Sequence, residues 1–374
     1  MKNIIFIAPL PPPLTGQSLT SQVLCEGVKD KYHVEVINFS RKDALKKSKL
    51  SLSGVVFIAK MVLKILKFRK KAEIAYFTIT QSRFGNMKDL LLLLALGKRV
   101  RKKTIIHING GYFHILFNNS NILIKLFNRY LFKDVALGLV PGESLKICLT
   151  PVIDEDKIKS FPNFYENFVK ITKEEFDSKW KSLDKINVLY LSNIMKEKGY
   201  EELIDAYKNL DVSVKNKVIL NFTGNFESDM IKENFFNKIK DENNIAYNGL
   251  VKGEEKKKLL AKSHIFILPT YYHIEAQPLS ILEAYASGLY VITTDQGGIC
   301  DIFRDDINGK LIEKRSVESI VRALTSCVSD TSSLLPIAEN NLIYSNEFSS
   351  SKAVNDLQKL LEEVSCKNSD NTLD

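Results

Sequence analysis

Two glutamates, Glu275 and Glu283, stand eight residues apart in "HIEAQPLSILEAYASGLYVITTDQGG" (273–298). Carboxylates accept paired hydrogen bonds from hydroxyls, which is what recognition of a sugar or a ribose demands. The spacing alone arises often by chance, so the neighbours decide whether these acids meet a ligand or water. Pro278 fits the first turn of a helix, "LSILEAYAS" continues it, and Gly288 is a natural stop. A helix starting there offers free backbone N–H groups to an anion, at the carboxyl end of the apolar run "HIFILP" (264–269). Lys198, followed by Gly199 and preceded by another apolar run, has the charge and the place of a phosphate ligand. His107 ends the run "TIIHIN" (104–109), at the sheet edge where ligands bind; Asn109 and His114 are further candidates. Gly16, in "PPPLTGQS", reads as a turn residue or as a backbone position that a ligand approaches.

The elements that must position these residues alternate between strand and helix. Apolar runs at 3–9, 33–39, 74–79, 104–109 and 135–141 predict strands, with helical spacing between them, notably 18–30 and 54–68. The pattern relaxes near "SFPNFYENF" (160–168), and a second series follows at 186–193, 217–224, 245–251, 264–269 and 289–294. Helical stretches at 198–209, 254–262 and 350–364 complete it, and Asn308-Gly309 predicts a tight turn between two short strands. Such alternation builds mainly parallel, doubly wound sheets. The fold class is α/β, with two Rossmann-like domains facing a central cleft.

The segment 273–298 resembles the Glu-x7-Glu segment of the retaining glycosyltransferases of family 4, which have the GT-B fold. Glu275, Leu279, Leu282, Glu283, Ala284, Gly288, Gly297 and Gly298 stand at matching places, and the chain departs from the pattern at Ala276, Gln277 and Pro278. "LYLSNIMKEKGYEELIDAY" is similar to the family's strand, loop and helix with Lys-Gly, matched by Lys198 and Gly199. Asn193 stands where the family usually has a phosphate-binding Arg; Arg304, Lys196 or helix N–H groups are candidates to replace that charge. "NGLVKGEEKKKLLAKSHIFILPT", with Leu250 and Val251, resembles the segment walling the nucleotide base. Gly16 and His107 match the family's glycine loop and its histidine strand end.

That resemblance implies a retaining transferase moving a sugar from a UDP-sugar to a glycan, lipid-linked, in O-antigen or capsule biosynthesis. It implies catalytic roles for His107, Glu275 and Lys198. It implies donor contacts from Gly16, Asn193, Lys198, Leu250, Val251, Glu275, Gln277, Pro278, Leu279 and Glu283. Residues 1–165 would hold the acceptor and 166–345 the nucleotide sugar, while 346–374 would form a helix returning toward the first domain and a polar tail. No cofactor and no metal are expected: the family needs neither, and no His/Cys cluster with metal-ligand spacing stands out. A nucleotide-sugar epimerase on the same scaffold and a non-catalytic basic membrane-surface protein are the rival readings. No GxGxxG follows the first strand, which speaks against a dinucleotide dehydrogenase.

Composition sets the outer bounds. The 374 residues suit two domains of ordinary size, and 45% apolar with 26% charged residues marks a folded globular chain. The five cysteines are scattered and never form CxxC, which fits reduced thiols in a cytosol. Met1-Lys2-Asn3 runs into "IIFIAPL" with no small-residue cleavage site, so a buried first strand is expected there instead of a signal peptide. The net charge is +9, and Arg41, Lys42, Lys46, Lys47, Lys49, Lys60, Lys64, Lys67, Arg69, Lys70 and Lys71 face only Asp43 between 41 and 71. Aromatic residues are sparse in this stretch, which speaks against nucleic acid. Basic residues flanking an amphipathic helix fit an anionic membrane surface, hence a cytoplasmic protein peripheral at the inner face.

Overall fold

A computed structural model describes residues 1–13, 15–40, 52–181 and 183–366. The basic residues Arg41, Lys42, Lys46, Lys47 and Lys49, and the tail beyond Cys366, lie outside the described residues. The chain divides into two compact units: Met1–Asn163 together with the chain from Ser350, and Phe164–Ser349.

The first unit is a six-stranded parallel sheet of β1 (Lys2–Ala8), β2 (Tyr32–Asn38), β3 (Ile74–Thr78), β4 (Thr104–His107), β5 (Leu137–Val140) and β6 (Ile158–Ser160). The strand order is β2-β1-β3-β4-β5-β6. β3, β4 and β5 are buried along their whole length, which is why they read as unbroken apolar runs. Around the sheet lie α1 (Gly16–Val28), α2 (Leu52–Phe68), α3 (Arg83–Arg101, broken at Gly97) and α4 (Ile122–Phe132). Thr15 caps α1 through a box with Ser18. The C-terminal helix, Ser350–Cys366, belongs to this unit and packs on α1, where Gln358 Nε2 donates to the Gly27 carbonyl at 2.7 Å.

The second unit repeats the plan with β7 (Ile186–Leu191), β8 (Val218–Thr223), β9 (Ile245–Tyr247), β10 (Ile265–Leu268), β11 (Tyr290–Thr293) and β12 (Gly309–Leu311). Their order is β12-β11-β10-β7-β8-β9, again parallel throughout. Helices α5 (Tyr200–Lys208), α6 (Gly253–Lys262) and α7 (Leu279–Ala286) carry or flank the candidate site. In each sheet the strand order reverses once, between β1 and β3 and between β7 and β10. Crevices at the carboxyl ends of such reversals are where doubly wound sheets bind ligands.

The expected turn at Asn308-Gly309 joins no pair of strands. Gly309–Leu311 pairs in parallel with β11 as an edge strand, and Asp305 meets Gly309 only through an isolated bridge. The reason is burial of Asn308, whose side chain donates to Asn341 at 2.8 Å and accepts from the Arg304 N–H at 2.9 Å. Among the described residues no helix is long and apolar enough to cross a membrane.

Candidate active site

β7 ends at Leu191 and β10 at Leu268, and the loops leaving these two ends meet. Tyr271 N–H donates to the Glu197 carbonyl at 2.8 Å, which ties the loop after β10 to the short 3₁₀ turn Lys196–Lys198 after β7. Across the same seam the Lys198 ammonium donates to Glu275 Oε2. Thr270 Oγ1 donates to that oxygen at 3.1 Å, and the ring of Tyr272 lies 5.0 Å from Lys198 Nζ. Side-chain exposures of 12% for Lys198 and 9% for Glu275 leave the pair largely shielded from water.

Two glycines make the approach possible. Gly199 has φ 76°, and a Cβ there would sit 2.2 Å from the Pro269 carbonyl oxygen. Gly297 has φ 58°, and its Cβ would sit 2.1 Å from the Glu275 carbonyl oxygen. Any side chain at either place would push apart the loops that hold the ion pair.

Behind Glu275 the chain enters α7. Pro278 is the N-cap, one residue before the helix and not within its first turn as the sequence suggested, because its ψ of 123° is extended. No side chain caps this end, so its first N–H groups remain for an anion. Gln277 is buried beside it, and Gly288 follows the last turn with φ 57°.

Glu283 lies within α7 and is buried. Its Oε1 accepts from Lys256 Nζ at 2.6 Å, so the acid is ion-paired to α6 and not facing water. Burial raises the Glu283 carboxyl above its usual range; Lys256 opposes that shift and the charge of Glu166 adds to it. Lys256 was missed in the sequence because it opens "KKK", which reads as a solvated face. Its signal was helical spacing: Lys256 lies one turn before the fully buried Leu260.

The remaining candidates of this unit also lie at the carboxyl edge. Asn193 follows β7, and its carbonyl accepts from Tyr190 OH at 3.1 Å. Leu250, exposed, and Val251 follow β9. The Gly249 carbonyl just before them accepts from Gly224 N at 3.0 Å and Thr223 Oγ1 at 2.6 Å. Arg304 bonds through its backbone to Asn308.

In the first unit, Gly16 opens α1 just beyond β1. His107 ends β4 and is buried. Burial lowers its pKa to about 3, so the ring is neutral. Tyr76 OH lies 2.5 Å from Nδ1, and Nε2 has no hydrogen-bond partner among the described residues. Asn109 Oδ1 is likewise buried and unpaired. His114 Nδ1 contacts Cys148 Sγ at 3.4 Å instead. Among the described residues, no three or more His, Cys, Asp or Glu side chains cluster to hold a metal ion.

Comparison with known proteins adds to this geometry. Residues 172–345 match the family model described as glycosyl transferases group 1. A glycosyltransferase of Methanocaldococcus jannaschii, itself uncharacterised, is 25% identical over 305 residues, covering 77% of this chain and 76% of that one. An uncharacterised 41.2 kDa protein in the cps region of Klebsiella pneumoniae is 24% identical over 278 residues, 74% of this chain and 67% of that one. The crystal structure of Anabaena HepE in complex with UDP and glucose has a TM-score of 0.72 at 15% identity, over 97% of this chain and 100% of that chain. The two doubly wound units are those of the GT-B fold.

Proposed function

We propose, from the match of residues 172–345 to the group 1 glycosyl transferases, a retaining glycosyltransferase that moves a sugar from a UDP-sugar to a lipid-linked saccharide in surface polysaccharide biosynthesis. The observation that carries the reading is the Lys198–Glu275 ion pair, laid across the strand reversal in front of the uncapped start of α7. Lys198 and the first N–H groups of α7 hold the diphosphate and stabilise the negative charge it gains as the glycosidic bond breaks. The ammonium has three donors and gives one to Glu275, so it serves both. Glu275 accepts from hydroxyls of the transferred sugar, and Glu283 accepts from the ribose hydroxyls. Leu250 and Val251 wall the base, and Asn193, Gln277, Pro278 and Leu279 line the donor.

In the first unit, the neutral His107 ring ends its strand at the carboxyl edge that receives the acceptor, and its Nε2 has no hydrogen-bond partner among the described residues. UDP bound in a structure of the same fold supports a UDP-sugar, and the relative in a cps region supports a polysaccharide product. Three exposed apolar stripes on α2, α3 and α4 support an acceptor presented at an anionic membrane, and with it a cytoplasmic, peripheral placement.

The test is incubation of the pure chain with UDP-glucose, UDP-galactose, UDP-N-acetylglucosamine and GDP-mannose, with vesicle-borne bacterial lipid-linked saccharides as acceptors. Release of UDP and a product whose anomeric signal keeps the donor's configuration are expected. An inverted product overturns the retaining mechanism, and an epimerised free sugar with no acceptor product overturns the transferase reading of this donor.

A further inference from the structure

Lys256, the partner of Glu283, has no role in the proposed reaction, and its burial is unusual for a lysine from a run of three. Lys256 and Glu283 keep 13% and 10% of their side-chain surface, so their 2.6 Å contact is largely shielded from water. The two groups come from different helices, α6 and α7. Phe168 covers the ammonium from a third segment, its ring centre 5.5 Å from Nζ. The charged group that faces Glu283 from that segment is Glu166, which opposes its ionisation. The ammonium engages one carboxylate oxygen, Oε1, while Oε2 has no protein partner among the described residues.

We propose that Lys256 is a positioning residue of the nucleotide site: it aims the Glu283 carboxylate and compensates its charge, so that Oε2 is presented to the vicinal hydroxyls of a ribose. The proposal rests on the reading that Glu283 receives the ribose. A carboxylate accepts from two hydroxyls only when ionised, and a buried one without a cation takes up a proton and becomes a donor. Lys256 removes that failure without occupying the oxygen that the ligand needs. A lysine does this better than an arginine, whose fork would take both oxygens.

The experiment titrates UDP, GDP and ADP into the wild-type chain, Lys256→Met and Glu283→Ala, and follows binding by calorimetry from pH 5.5 to 9. Wild type binds one of the three, and Glu283→Ala loses that binding at every pH. Lys256→Met binds at pH 9 but loses affinity at a higher pH than wild type. The shift is about 1–3 units, the usual effect of an adjacent opposite charge on a carboxyl. Lys256→Arg restores the wild-type midpoint, with some loss of affinity. Should Lys256→Met fail to fold, Lys256→Gln, which keeps the length and removes the charge, carries the same comparison. If Glu283→Ala binds like wild type, or wild type binds none of the three, the ribose reading falls and this proposal with it. If Glu283→Ala loses binding while both neutral variants keep the wild-type pH profile and only lower the melting temperature, Lys256 is a staple between helices and the proposal alone is overturned.

Discussion

Lys198 and Glu275 leave opposite sides of the one strand reversal in the second unit, and their ion pair closes it. Neither residue would reach the other without Gly199 and Gly297, where a Cβ would strike Pro269 and Glu275 backbone oxygens. Lys198→Ala removes the cation proposed for the leaving diphosphate. Transfer should fall on the order of 10²-fold, the usual loss for one preorganised charge-stabilising group. Donor turnover in EDTA measured alongside should equal turnover without it. Strict dependence on added divalent ion would contradict a mechanism resting on Lys198.

Truncating Glu283 has two effects that must be separated. Glu283→Ala strands the Lys256 ammonium in a buried place, at about 3–5 kcal/mol of stability by analogy with other broken buried pairs. Glu283→Gln keeps the shape and loses the charge, so it should fold better while transfer is still abolished. Glu275→Gln should behave alike. Thermal unfolding together with sugar-transfer rates checks both, and near-full activity in both Gln variants would refute the ligand roles of the two acids.

Much of this arrangement was legible in the sequence. β10 and β11 are buried throughout because both faces of the sheet are covered, and α7 was bounded by Pro278 and Gly288 within one residue. β6 escaped notice because it is three residues long and only Ile158 is buried, too short for any periodicity. The partners of the acids escaped for a different reason. Pairing between Lys256 and Glu283 depends on how α6 and α7 are brought together, a tertiary fact that charge patterning along one helix does not carry.

Acid should unfold this chain through two buried histidines. His264 Nδ1 accepts from Asn187 N–H at 3.0 Å while Nε2 faces the Lys179 carbonyl at 3.3 Å, so the neutral ring is satisfied and protonation would set two donors against each other. Burial lowers His264 to about 4 and His107 to about 3. Both folded-state values lie below the unfolded value of about 6.5, so the unfolded chain binds the protons first. The stability is therefore complete above about pH 6.5 and declines as pH falls toward 4, by about 1.4 kcal/mol per pH unit per histidine. Melting temperatures at pH 7, 6 and 5 measure the slope. His264→Gln should flatten it, and an unchanged slope in that variant would assign the acid sensitivity elsewhere.

The last prediction concerns the face of the first unit that α2, α3 and α4 build. α2 packs on α3 and α3 on α4, so their outer surfaces adjoin. Leu52, Val55, Val56, Leu63 and Leu66 are exposed along α2, with helical spacing that places them in one stripe. Phe84, Met87, Leu91 and Leu94 form the same kind of stripe on α3, and Ile122, Leu123, Leu126 and Tyr130 on α4. A soluble surface rarely exposes three adjoining apolar stripes, and an anionic bilayer is the partner that also uses the surrounding cations. Not every cation is free for it. Lys64 is held by Glu35 at 2.6 Å and by the Val36 carbonyl, and Arg69 donates to the Ala95 carbonyl at 3.0 Å. Lys60, Lys67, Lys70 and Lys71 remain, each contributing about 1 kcal/mol near an anionic surface. The chain should sediment with phosphatidylglycerol vesicles and be released by salt. Replacing those four lysines with Gln should cut binding at low salt, and Leu91→Glu with Leu94→Glu should cut the part that survives high salt. UDP binding, measured in the same variants, should not change, because the residues proposed to hold the nucleotide lie in the other unit. Equal sedimentation with neutral and anionic vesicles would remove the electrostatic half of the argument, and no sedimentation with either would leave a water-soluble saccharide as the acceptor.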